Sequence, residues 1–260
     1  MKAHVPALLG LAVLGSACSA NQIDKLLVKR PIAEAMLTPE PLYACTSAMA
    51  NRSMLSAFLR KKPPQRALTI VEMTASMCAE TAIWELELEV ARRKRHLGGP
   101  ADVELVKDLR AEEMRLRTLA AERQWRAFTH LESKFGPVGG ECPKLKKWED
   151  QYAYLLGLFA GANSLLYDQS GGGHVGVPTN ILGRIGDGAQ CLSDEDWFHA
   201  PSALRAASWA TVPGTAPEGV DPWEALDEAA SAGDSSGVRL GRVIQASIAA
   251  NAGNQPVVER

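Results

Sequence analysis

Aromatic side chains are scarce in this chain, at 6% of 260 residues, although 46% of the residues are apolar. Alanine and leucine carry the apolar load. That composition disfavours a β-sandwich, whose faces draw on β-branched and aromatic residues, and favours closely packed helices. An excess of one charge is also missing: the formal net charge is −2. The chain as a whole therefore exerts no general attraction on nucleic acid or on an anionic membrane. There is no Cys-x-x-Cys and no close histidine pair, which removes the common zinc spacings. His4, His96, His130, His174 and His199 are scattered along the chain, so no metal site or catalytic triad assembles from spacing. No cofactor motif is found, and the tetratricopeptide consensus is not met in any one window.

The N-terminus departs from this average. Met1-Lys2 precedes an apolar run from Val5 to Leu14, then small residues Gly15-Ser16-Ala17 and Cys18. A positive start, an apolar segment too short to span a bilayer and a small-residue cleavage site make a bacterial export signal. Its cysteine gives it the form of a lipoprotein signal, in which Cys18 becomes the lipidated first residue. Gly15 stands where such signals usually carry a branched apolar residue, so cleavage after Ala17 or Ala20 without lipid is the alternative. The expected division is a signal at 1–17, a tether at 18–40, one helical domain at 41–253 and a flexible tail at 254–260.

With Cys18 assigned to lipid, Cys45, Cys78, Cys142 and Cys191 remain, an even number able to pair in an oxidising compartment. Cys45 and Cys78 lie almost symmetrically about the Lys61-Lys62-Pro63-Pro64 turn, and equidistant residues of an antiparallel helix pair face each other. Cys142 precedes one helix and Cys191 follows the next, which brings those ends together. The predicted bridges are Cys45–Cys78 and Cys142–Cys191. Four buried free thiols are the plainer alternative, since cysteine is commonly buried.

The organising stretch is Pro64 to Phe135, read as two long helices joined at Gly98-Gly99-Pro100. The first runs from about Pro64 to His96, with Leu68, Val71, Ala75, Ala79, Ala82, Leu86 and Val90 on one face. Trp84 to Val90 alternates with period two, as a strand would, but its residues are helix formers within a longer helical pattern. The cluster Arg92 to Arg95 suits a solvated helix C-terminus, with an anion or headgroup patch as the sharper alternative. The second helix runs from about Asp102 to Lys134, with Leu105, Leu109, Leu116, Ala120, Ala127 and Leu131 on a face that Glu112 and Arg123 interrupt. A helix from Leu42 to Leu59 precedes the hairpin. Five follow: Lys147–Leu166, Pro178–Gln190, a segment restarting at Pro201, one capped by Asp221-Pro222-Trp223-Glu224, and a last one over Gly237–Asn251. Gly157 and Gly161, one turn apart, permit a close helix contact. The expected fold is all-α, about eight helices in antiparallel hairpins, stacked as a bundle or short solenoid.

Between helices lies Ser170-Gly171-Gly172-Gly173-His174-Val175-Gly176-Val177-Pro178. Glycine-rich loops cradle phosphate between a strand and a helix; here a helix precedes and no Lys-Ser/Thr follows, so a connector is the expectation. A hydrolase would need His174 beside Ser170 and Asp168 or Glu141, and no nucleophile elbow supports it.

Three stretches together carry a family resemblance: Arg115 to Glu132 (RLRTLAAERQWRAFTHLE), Ala203 to Gly214 (ALRAASWATVPG) and Gly219 to Ala229 (GVDPWEALDEA). With the lipoprotein-like start, the chain resembles the TatT family, periplasmic lipoproteins with degenerate tetratricopeptide-like helix pairs associated with TRAP-type (tripartite ATP-independent periplasmic) transporters. In that family an "RA…Y…R" helix sits mid-chain, and a helix ending near Pro-Gly is followed by a "GG-D-P-x-x-A" helix start. The ordering spans Leu42 to Gly253. The chain departs from it in the glycine-rich loop, the four further cysteines and Gly15. The resemblance implies a non-enzymatic scaffold that binds a periplasmic solute-binding protein, with an apolar channel for a hydrophobic small ligand. By position, Trp125, Phe159 and Trp209 would line such a channel. A purely structural helical lipoprotein is the competing reading.

Overall fold

The computed structural model describes residues 40–58, 63–95 and 99–258. The export signal, Cys18 and most of the tether lie outside the described residues. All regular structure among the described residues is helical. The helices are α1 (Pro41–Phe58), α2 (Gln65–Arg95), α3 (Pro100–Phe135), α4 (Trp148–Ser170), α5 (Ile181–Ala189), α6 (Ala200–Thr211), α7 (Pro222–Ser235), α8 (Leu240–Ala252) and α9 (Gln255–Val258). None of them is long and apolar enough to cross a membrane.

Helices α1 to α4 pack one against the next, and α2 also reaches α4. Both predicted disulfides are present. Cys45–Cys78 ties α1 to α2 with a Cα–Cα distance of 5.4 Å, and Cys142–Cys191 ties the α3–α4 connection to the end of α5 at 5.3 Å. Close approach of α4 to α3 depends on two missing side chains. A Cβ on Gly157 would lie 2.6 Å from Leu131, and one on Gly161 would lie 2.6 Å from Phe128. The second half continues by α5 on α4, α6 on α5, and α7 and α8 on α6. Asp221 caps α7 as its sequence predicts, accepting from the amides of Trp223 and Glu224 at 2.8 and 3.0 Å.

Three expectations are corrected. The buried face of α3 keeps Ala120, Ala127 and Leu131 as predicted but is wider, taking in Glu113, Gln124 and Phe128, whereas Glu112 is exposed and paired with Arg115 at 2.5 Å. Arg123 is half-buried and donates to the carbonyl of Ala75 on α2 at 2.7 Å. Second, the far end of the hairpin is bare among the described residues. No residue from Asp102 to Glu112 is buried, and Leu105 is 37% exposed, because no further described helix covers that end. The period-two segment is helical, so its apolar residues fall on opposite sides; Trp84 and Leu88 face solvent while Val90 is buried. Third, residues 255–258 form a turn of helix where a loose tail is expected.

Candidate functional site

Helix α4 is apolar on two sides. One side carries Gly157, Leu158, Gly161 and Leu165 and closes on α3. The other carries Tyr152, Leu155, Leu156, Phe159, Ala162 and Leu166; Tyr152 and Leu156 pack in part against the α2 core, and the rest of this side borders a gap. Helix α8 packs on α6 and α7, where a Cβ on Gly241 would meet the Ala230 backbone at 2.7 Å, and it faces α4 across a gap. The gap is a cavity of about 490 Å³, within the usual size of small-molecule sites. Val243, Ile244 and Ile248 of α8 form the opposite wall, Leu182 and Ile185 of α5 and Leu204 and Ala207 of α6 the floor, and Met73 of α2 completes it.

Trp197 and Phe198 stand at one end. Their connection is held open by Asp194, which accepts from the backbone amide and hydroxyl of Ser202, both at 2.7 Å, and from Arg205 at 2.7 Å. Burial works against the charge of Asp194, but these hydrogen bonds and Arg205 outweigh it and leave the carboxyl below its ordinary range. The carbonyl of Asp194 accepts from His199, and Phe198 and His199 take left-handed backbone, φ 53° and 59°. Such a conformation costs a bulky residue free energy, and here it turns Phe198 onto the cavity. Ser193 also accepts from the amide of Asp196 at 3.2 Å.

At the other end the cavity meets a second space of about 300 Å³, bounded by Glu87 of α2, Arg117 of α3, Tyr167 and Ser170 of α4 and Asn251 of α8. Asn163, Leu166 and Ser247 line both spaces. Arg117 is engaged by Glu87, by Glu113 at 2.9 Å and by Ser170 at 3.0 Å. Burial, and secondarily the carboxylate of Glu80, hold the Tyr167 phenol well above its ordinary pKa, so it remains a hydrogen-bond donor.

Of the three residues expected at a channel, Phe159 lines the cavity and the other two do not. Trp125 stacks on Phe128 with ring centroids 5.5 Å apart, on a helix that does not reach the cavity. Trp209 lies on the flank of α6 that faces α7, one step around from Ser208, and borders a separate shallow groove with Arg205 and Glu228. The glycine-rich loop folds back on α4: the Asp168 carboxylate accepts from the amides of Val175 and Val177, each at 2.8 Å. Ser170 donates to the carbonyl of Leu166 at 2.8 Å. His174 hydrogen-bonds neither of them, so the three residues of the hydrolase reading are not brought into a relay. Among the described residues no group of three or more His, Cys, Asp or Glu is placed to hold a metal ion.

The fold and site define an all-helical, disulfide-bridged protein with an apolar cavity between two layers of helices. Compared with family models, curated proteins and solved structures, the chain matches none.

Proposed function

We propose that this protein is a non-enzymatic binding protein of the bacterial cell envelope, anchored by lipid at Cys18, that takes up one hydrophobic small molecule between α4 and α8. The observation that carries this reading is the cavity itself. An apolar space of about 490 Å³ with a nearly continuous aliphatic and aromatic wall is costly to leave filled with water, and it stabilises a ligand that buries apolar surface there. The TatT-like ordering of helices supports a role beside a TRAP-type transporter, handing the ligand to or from a periplasmic solute-binding protein. The two disulfides support an oxidising compartment.

Titration with the environment-sensitive dye N-phenyl-1-naphthylamine tests the cavity. Wild type is expected to enhance dye fluorescence with saturable, one-to-one binding. Ala162→Phe, which places a ring in the cavity from α4, is expected to reduce that enhancement at least tenfold while remaining folded. Absence of saturable binding, or equal binding by both proteins, rejects the reading in favour of a purely structural role.

A further inference from the structure

The cavity does not end in apolar surface, and the way its polar atoms are distributed indicates the head of the molecule it takes. Trp197 donates its indole N–H to Gln151 at 2.9 Å, and the Ser208 hydroxyl donates to the carbonyl of Arg205 at 2.8 Å. Those two polar liners are satisfied by the protein. Asn163, half-buried, and Ser247, exposed, have no protein partner: among the described residues neither side chain makes a hydrogen bond, and both are open to solvent. The Tyr167 hydroxyl, one turn on from Asn163, is likewise without one. Asn163 and Ser247 stand at the junction of the apolar cavity with the polar space beyond it, and Tyr167 lines that polar space. An occupant that displaces solvent from these groups without replacing its hydrogen bonds loses affinity.

The charges around that junction select among heads. Glu87 and Arg117 border it, with Glu113 bound to the same guanidinium and Glu80 close to Tyr167. Arg117 is thus already held by two carboxylates and by Ser170. An anionic head would meet more carboxylate than free cation. A quaternary ammonium head would find acidic surroundings but could not bond to an amide, a hydroxyl or a phenol. An uncharged hydroxyl both donates and accepts, and so can satisfy the side-chain amide of Asn163 together with Tyr167 or Ser247.

Resting on the reading of the cavity as a binding site, we propose that the ligand is a single-chain amphiphile with an uncharged hydroxyl head, its tail between α4 and α8 and its head at Asn163, Tyr167 and Ser247. Asn163 is the specificity-determining residue.

The test is displacement of N-phenyl-1-naphthylamine from the full chain at pH 8 by 1-decanol, decanoate and decyltrimethylammonium, which share a tail. Decanol is expected to displace the dye at concentrations about tenfold lower than either charged analogue, as one or two net hydrogen bonds allow. Asn163→Leu is expected to abolish that preference when displacement is referred to the variant's own dye affinity, and a circular-dichroism spectrum and urea midpoint like those of wild type show that it is folded. Tyr167→Phe, which removes one oxygen, is expected to weaken decanol about threefold. Dye binding with equal displacement by all three analogues, preferred displacement by decanoate, or an unchanged preference in Asn163→Leu overturns the assignment of the head while leaving the cavity reading intact. Failure of wild type to bind the dye overturns both.

Discussion

The α2–α3 interface and the space between α4 and α8 lie in one molecule and are filled in opposite ways. Where α2 meets α3 the side chains are small: Ala75 and Ala79 on one helix, Ala120 and Ala127 on the other, all buried. The helices come close, and polar groups cross between them. Gln124 donates to Ser76 and Glu80 at 2.6 and 2.7 Å, Glu72 accepts from Arg126 at 3.3 Å, and His130 meets Gln65 at 2.6 Å. Between α4 and α8 the side chains are large and aliphatic and do not meet. Small side chains with crossing hydrogen bonds fix one geometry; large side chains around a gap leave volume for a guest.

Loss of the bridges should have the largest effect. Each closes a long loop, 33 residues for Cys45–Cys78 and 49 for Cys142–Cys191, which the chain-entropy model converts to about 4 kcal/mol apiece. Urea unfolding of Cys45→Ser/Cys78→Ser and Cys142→Ser/Cys191→Ser is expected to show both losses. The second pair should also weaken dye binding, because its bridge holds the end of α5 that floors the cavity.

Overpacking separates the two regions more sharply. Gly157→Val drives a side chain into Leu131 on the closed side of α4 and should cost about 3 kcal/mol. Ala162→Phe, on the open side of the same helix, should leave stability unchanged or raise it by about 1 kcal/mol as a cavity filler. Thermal unfolding of the two variants side by side checks the contrast; equal destabilisation would mean that the gap closes in solution.

The smallest expected effects are in pH dependence, and they have opposite signs. Burial raises the pKa of Glu80 above its ordinary 4.5, against the pull of its bonds to Ser76 and Gln124. Its contribution is therefore most favourable below pH 4.5 and declines as pH rises through the folded-state value. Glu80→Gln should gain on wild type as pH increases from about 4.5 to 7.5. For Asp194, depressed below its ordinary 3.8, the stabilisation is complete above that value and is lost as pH falls through the folded-state value. Asp194→Ala should thus lie below wild type at neutral pH, by about 1 kcal/mol, and approach it in acid. Urea midpoints of each variant and wild type across this range check both slopes.

Much of this architecture is readable from residues. The symmetry of Cys45 and Cys78 about the Lys61 to Pro64 turn, the Asp221 cap and the Gly157/Gly161 step each follow from local geometry, and each appears in the fold. The extent of the buried face of α3 is less readable, because leucines at Leu105 and Leu109 mark a face only if something covers it, and coverage is a tertiary fact. The cavity left one trace in the sequence. Helix α4 carries more apolar residues than its contact with α3 can bury, which implies a second neighbour or a ligand. Helix spacing alone could not place Trp125 or Trp209, since a turn of one residue moves a side chain about a quarter of the way around the helix. Nor could it reveal that Asn163 and Ser247 line the same gap, as they come from helices distant in the chain.

The most direct measurement is a methyl NMR spectrum of isoleucine-labelled protein titrated with 1-decanol. Ile185, Ile244 and Ile248 line the cavity, whereas Ile70 lies in the closed packing of α2. The account predicts saturable shifts at Ile185, Ile244 and Ile248 with Ile70 unmoved. Shifts at Ile70 of the same size, or none at the three cavity methyls, would contradict it.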